Sequence, residues 1–151
     1  MDDLWPDDLI NRAEQKRTPL SILKEQAALL GQKTANRIEG RVIDPGKWSR
    51  QDRDQYPFQY RFLVTAPVLE NYSFGVFSVY YGIDFYPLLL EIGRDIYEEI
   101  REALEVVPTV VGSQSEFSVG SEDQFLELLK MIFGSNKVRK VVAALLSQIE
   151  E

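Results

Sequence analysis

Asp84 has the best surroundings of any residue in this chain for acid–base chemistry. It lies between Gly82 and the pair Phe85-Tyr86. A carboxyl group set among aromatic rings loses solvation, so its pKa rises toward the range where it can hold and release a proton. Tyr80, Tyr81 and Tyr86 flank it, and their rigid rings with a polar tip suit either a pocket wall or a docking face. With Phe77 they form a candidate partner or ligand surface: Phe77, Tyr80, Tyr81, Asp84 and Tyr86. The plainer reading makes Gly82-Ile83-Asp84 a turn, with Asp84 hydrogen-bonded to local backbone.

A second group is basic. Arg37, Arg41, Lys47, Trp48, Arg50 and Arg53 fall within a short span, and a tryptophan among cations can stack on a base or anchor a partner. They make a possible anionic-ligand loop. The alternative is that Trp48 folds back and closes the end of a sheet.

Other chemistries are excluded by residue type. The chain has no His and no Cys, which removes the side chains most used for zinc binding, thiolate attack and proton transfer near neutral pH. Gly31-Gln32-Lys33-Thr34 lacks the glycine spacing of a phosphate loop. Asp52-Arg53-Asp54 lacks the central Gly and closing Glu of a calcium loop. Pairing Asp84 with Glu91 or Glu70 on magnesium has no spacing to recommend it. The expectation is no metal and no cofactor.

The net charge is −7, which disfavours nucleic acid as a partner. The charge is uneven. Lys33 to Arg61 holds seven basic residues against four acids, and Glu91 to Glu105 holds six acids against Arg94 and Arg101. The longest nearly uncharged stretch, Asn71 to Ile83, is too short and too broken by glycine to span a bilayer. The acidic opening, MDDLWPDDLINRAEQKR, is unlike a signal peptide, and the expected location is cytoplasmic.

These residues need elements to position them. Eleven of the 17 aromatics lie between Tyr56 and Tyr86, where strand patterns dominate. The pattern predicts a helix over 17–33, with Thr18 as N-cap, Pro19 at the first helical position and Gly31 near its close. A sheet over 36–92 follows, with strands over 36–43, 58–66, 72–81 and 85–92. The third strand is apolar on both faces, which implies a cover on each side. Pro87 suggests that the fourth is an edge strand or carries a bulge.

A helix is predicted over 94–105, with possible short extended segments at Thr109–Val111 and Glu116–Val119. A helical hairpin over 121–149 opens on the capping box Ser121-Glu122-Asp123-Gln124, and Ser135 caps its second helix. Trp5 is expected to pack onto the body of the fold.

The whole, residues 1–151, reads as a single globular α+β domain: a four-stranded antiparallel meander with an N-terminal helix and C-terminal helices packed on it. The function that fits is a non-catalytic protein-binding or regulatory module, docking on a partner protein or assembling as a homo-oligomer. The alternative is a small-ligand-binding or carboxylate/Tyr-based enzyme with a pocket between sheet and helices.

Overall fold

The computed structural model of the chain describes residues 1–10, 17–46, 49–70, 72–104, 109–111 and 114–149. Helix α1 spans Pro19–Lys33. The Thr18 hydroxyl accepts a hydrogen bond from the Ser21 N–H at 3.0 Å, and Pro19 follows where its missing N–H costs nothing. Gly31 is not the stop. The helix runs two residues further and ends where Ala35 and Asn36 take left-handed φ values of 52° and 63°. The Asn36 N–H then bonds back to the Gly31 carbonyl at 2.8 Å.

Strands β1 (Glu39–Ile43), β2 (Phe58–Ala66), β3 (Tyr72–Tyr81), β4 (Leu88–Gly93), β5 (Thr109–Val111) and β6 (Gln114–Val119) form one antiparallel sheet. Their order is β1-β2-β3-β4-β6-β5. The expected meander is present, extended by β6 alongside β4 and by the three-residue edge strand β5. The fold is α+β, as expected, with more strands than four.

The fourth strand corrects an expectation. β4 is internal, between β3 and β6, rather than an edge. It begins at Leu88, just after the cis Tyr86–Pro87 bond. The proline therefore stands outside the ladder, and its missing N–H removes no sheet hydrogen bond.

Helix α2 (Arg94–Ile100) continues as a tight turn over Arg101–Ala103, and α3 (Glu122–Phe133) and α4 (Asn136–Ile149) form the hairpin. The Ser121 hydroxyl accepts from the Gln124 N–H at 3.2 Å; the Gln124 side chain returns to the Gly120 N–H at 2.9 Å, one residue upstream of the cap. The Ser135 hydroxyl accepts from the Val138 N–H at 3.3 Å and opens α4. A second group shares that end. The Glu99 carboxylate on α2 accepts from the Asn136 and Lys137 N–H groups at 2.6 and 3.0 Å, where negative charge is favoured by the helix dipole.

The helices cover one face of the sheet. Phe62 stacks on Phe77 at 5.3 Å, and both meet Phe133 of α3, at 5.2 and 6.0 Å. Leu88, Leu90, Ile92, Phe117 and Val119 continue this buried layer. At Gly40 the helix lies directly on the strand: a Cβ there would fall 2.6 Å from the Ala27 Cα. Only glycine permits that approach.

Trp5 does not pack onto the body. It is 72% exposed, and Leu4, Leu9 and Ile10 beside it are exposed too. Among the described residues no helix is long and apolar enough to cross a membrane.

Candidate functional site

Alternation along the strands sends Phe62, Phe77, Leu90 and Phe117 toward the helices and a different set to the opposite face. There the register aligns Arg61 with Ser78, Ser78 with Glu91, and Glu91 with Glu116. A polar row thus crosses four strands, with Gln59 and Tyr80 in the row beside it. Arg61 donates to the Ser78 hydroxyl at 3.1 Å. Gln59, Ser78 and Tyr80 are buried, although they face away from the helices of the described residues.

Their cover is the connection from β1 to β2. The Arg50 N–H donates to the Gln59 side-chain carbonyl at 2.9 Å, and the Gln59 amide donates to the Arg50 and Tyr56 carbonyls at 3.3 and 3.0 Å. The Arg50 guanidinium then reaches inward. It lies 5.4 Å from the centre of the Tyr56 ring and 5.5 Å from that of Tyr80. It donates to Asp52 at 3.0 Å and, closer still, to Glu116.

The electrostatics follow from this packing. The bond to Asp52, helped by Glu116, raises the Arg50 pKa against desolvation. Arg50 in turn holds Asp52 below the usual carboxylate range. Desolvation raises Glu91, and the neighbouring Glu116 raises it further. Desolvation likewise raises Tyr80. Two opposed carboxylates of which one favours its proton are the raw material of acid–base chemistry. Here the Arg50 guanidinium lies on Glu116, with the Tyr56 and Tyr80 rings against the guanidinium. The cluster acts as a clasp that closes the loop onto the sheet.

The candidate surface drawn from the sequence is divided by the fold. Phe77 and Tyr81 face the helices at 1% and 3% exposure, Tyr81 against Phe58 at 5.4 Å and Phe85 at 6.2 Å. Tyr80 faces the other way, under Arg50. Asp84 is exposed in the turn after β3, and its carbonyl accepts from the Tyr86 N–H at 2.9 Å. Tyr86 meets Phe125 of α3 edge-on at 6.4 Å, and burial pushes its hydroxyl up to about 12. Tyr80, Asp84 and Tyr86 do not share a pocket.

The basic group is divided as well. Arg50 is engaged in the clasp, Arg53 donates to the Ser49 hydroxyl at 3.0 Å, and Arg37 and Arg41 are exposed on and before β1. Lys47 and Trp48 lie outside the described residues. Among the described residues the acids of α2 that form ion pairs do so away from this group: Asp95 pairs with Lys137 of α4 at 3.4 Å, and Glu98 with Arg101 of the following turn at 3.1 Å.

A feature that the sequence did not single out lies on the helix side. Between α1 and α4 runs a groove of about 450 Å³. Its floor is Phe62, Val64 and Phe133, and its walls are Leu29 and Leu30 on one side and Val142 and Leu146 on the other. Lys33 and Arg139 stand at its rim, both exposed and neither ion-paired among the described residues, and no acid lines it. Each helix that walls it buries part of its apolar stripe and leaves part open: α1 buries Ile22 and Leu23 but leaves Leu29 exposed and Leu30 half-buried, and α4 buries Val138 and Leu145 but leaves Val142 and Leu146 half-buried. Its volume falls within the range of ligand pockets, and most of the residues that line it are apolar. No family model, curated protein or solved structure matches this chain.

Proposed function

We propose that this chain is a non-catalytic docking module that binds a segment of a polypeptide in the groove between α1 and α4. The observation that carries the reading is the groove itself: apolar floor and walls, two rim cations with no ion pair among the described residues, and no acid among the residues that line it. An amphipathic segment laid into such a groove buries its apolar side chains and keeps its charged face in water. The rim selects for acidic residues on that face. The polar cluster on the opposite side of the sheet supports the non-catalytic part, because its charges are turned to one another. A cytoplasmic setting belongs to the same proposal, and cell fractionation tests it.

The test uses a synthetic helical peptide with leucines on one face and aspartates on the other, titrated into the isotopically labelled protein. The expected result is movement of the Leu29, Leu30, Val142 and Leu146 methyl resonances, lost in Leu146→Lys. Shifts confined to the Arg50–Glu116 side, or no shifts at all, contradict the reading.

A further inference from the structure

The first ten residues hold five of the nine large apolar side chains that are exposed among the described residues: Met1, Leu4, Trp5, Leu9 and Ile10. Between them stand Asp2, Asp3, Asp7 and Asp8. This arm therefore combines bulky apolar groups with dense negative charge. The α1/α4 groove has the complementary pair of properties, an apolar lining and a rim of Lys33 and Arg139. Each feature is costly alone, since both expose apolar surface to water. In this structure the arm does not lie in its own groove: Trp5 is 72% and Ile10 83% exposed.

We propose that the occupant of the groove is the N-terminal arm of a second copy of this chain. Trp5 and its apolar neighbours enter between α1 and α4, and the aspartates meet Lys33 and Arg139. Both copies carry an arm and a groove, so a reciprocal exchange closes as a two-fold dimer with no unsatisfied site left to propagate. The proposal rests on the docking reading above and names its partner.

The experiment is sedimentation equilibrium of the full chain over a wide concentration range, beside a chain lacking residues 1–10. Leu4, Trp5, Leu9 and Ile10 are all exposed, so their deletion takes no side chain from the buried core. The full chain is expected to approach twice its 17.4 kDa as concentration rises, with Trp5 emission, read in a Trp48→Phe background, moving to shorter wavelength, while the shortened chain stays at one. Lys33→Glu with Arg139→Glu weakens association at least about tenfold, as loss of two close charge pairs should. Mixing that variant with Asp3→Lys/Asp7→Lys/Asp8→Lys restores a pair. Three results overturn the proposal: a full chain that stays monomeric, a shortened chain that dimerises equally well, or a blue-shifted Trp5 at monomer mass. The docking reading is judged separately, by whether the shortened chain still binds the leucine–aspartate peptide.

Discussion

Glu91 on β4 and Glu116 on β6 stand directly opposite each other in the sheet, and only Glu116 is held by Arg50. One carboxylate is satisfied by a guanidinium while its neighbour is left desolvated beside it, with its pKa raised. Burial and a like charge act on Glu91 in the same direction. The pair thereby ties the stability of the sheet, and of the loop that Arg50 anchors, to pH.

The sign follows from linkage. Native Glu91 keeps its proton above the pH of about 4.5 at which the unfolded chain releases it. Stability therefore falls as pH rises from there through the raised value, and then levels off. Glu91→Gln should abolish that fall and leave the protein more stable at neutral pH. Asp52, lowered by Arg50, acts oppositely: its contribution is present above its ordinary 3.8 and is lost as pH falls through its native value. That acid limb should survive in Glu91→Gln. Urea unfolding across a pH series reads both limbs.

Arg50→Ala removes the donor that satisfies Glu116 and the cation that lies over Tyr56 and Tyr80. The expected loss is about 1–3 kcal/mol, the cost of leaving a largely buried charged acceptor unpaired. The lower half applies because Arg50 is 27% exposed and solvent screens part of the pair. Amide exchange separates the loop from the fold. Protection should fall at Tyr56 and Gln59 before it falls at Phe77 or Leu90.

Gly40→Ala tests the seat of α1. Its Cβ has no room above β1, so helix and strand must move apart, at about 1–3 kcal/mol. Chemical denaturation measures it. Because Phe62 lies 3.1 Å from the same position and also floors the groove, the groove should widen and the leucine–aspartate peptide should bind more weakly.

Glu99→Ala takes the carboxylate from the first N–H groups of α4. A lost cap costs about 1 kcal/mol. Faster amide exchange at Asn136 and Lys137, with α3 unaffected, is the expected signature.

What could be read from the sequence divides by range. Thr18-Pro19, Ser121-Gln124 and Ser135 were legible because a cap is made within four residues, and β2 because its alternation is unbroken from Phe58 to Ala66. β6 was half-legible: Phe117 and Val119 alternate, but Ser115 fills the third inward position, where an apolar residue would have completed the pattern. The edge position expected from Pro87 failed because β4 starts at Leu88, three residues later than the strand expected over 85–92, which leaves the proline outside the ladder.

The polar face was hidden for a different reason. Arg50 and Glu116 are 66 residues apart, and Gln59 reads as solvent-facing until a loop is known to cover it. The groove was hidden too. Lys33 and Arg139 meet only once α1 and α4 lie side by side, and the half-buried Val142 and Leu146 look from the sequence like the rest of a core stripe.

The most direct test of the docking account is a photocrosslinking residue placed at Ala143, on the wall of the groove, in the chain's own cell, with the same residue at exposed Arg41 as control. The account predicts adducts from position 143 whose linked peptides combine large apolar and acidic residues, and their loss when Val142→Asp is added. Adducts from position 41 with none from 143, or adducts from 143 that Val142→Asp leaves untouched, contradict it.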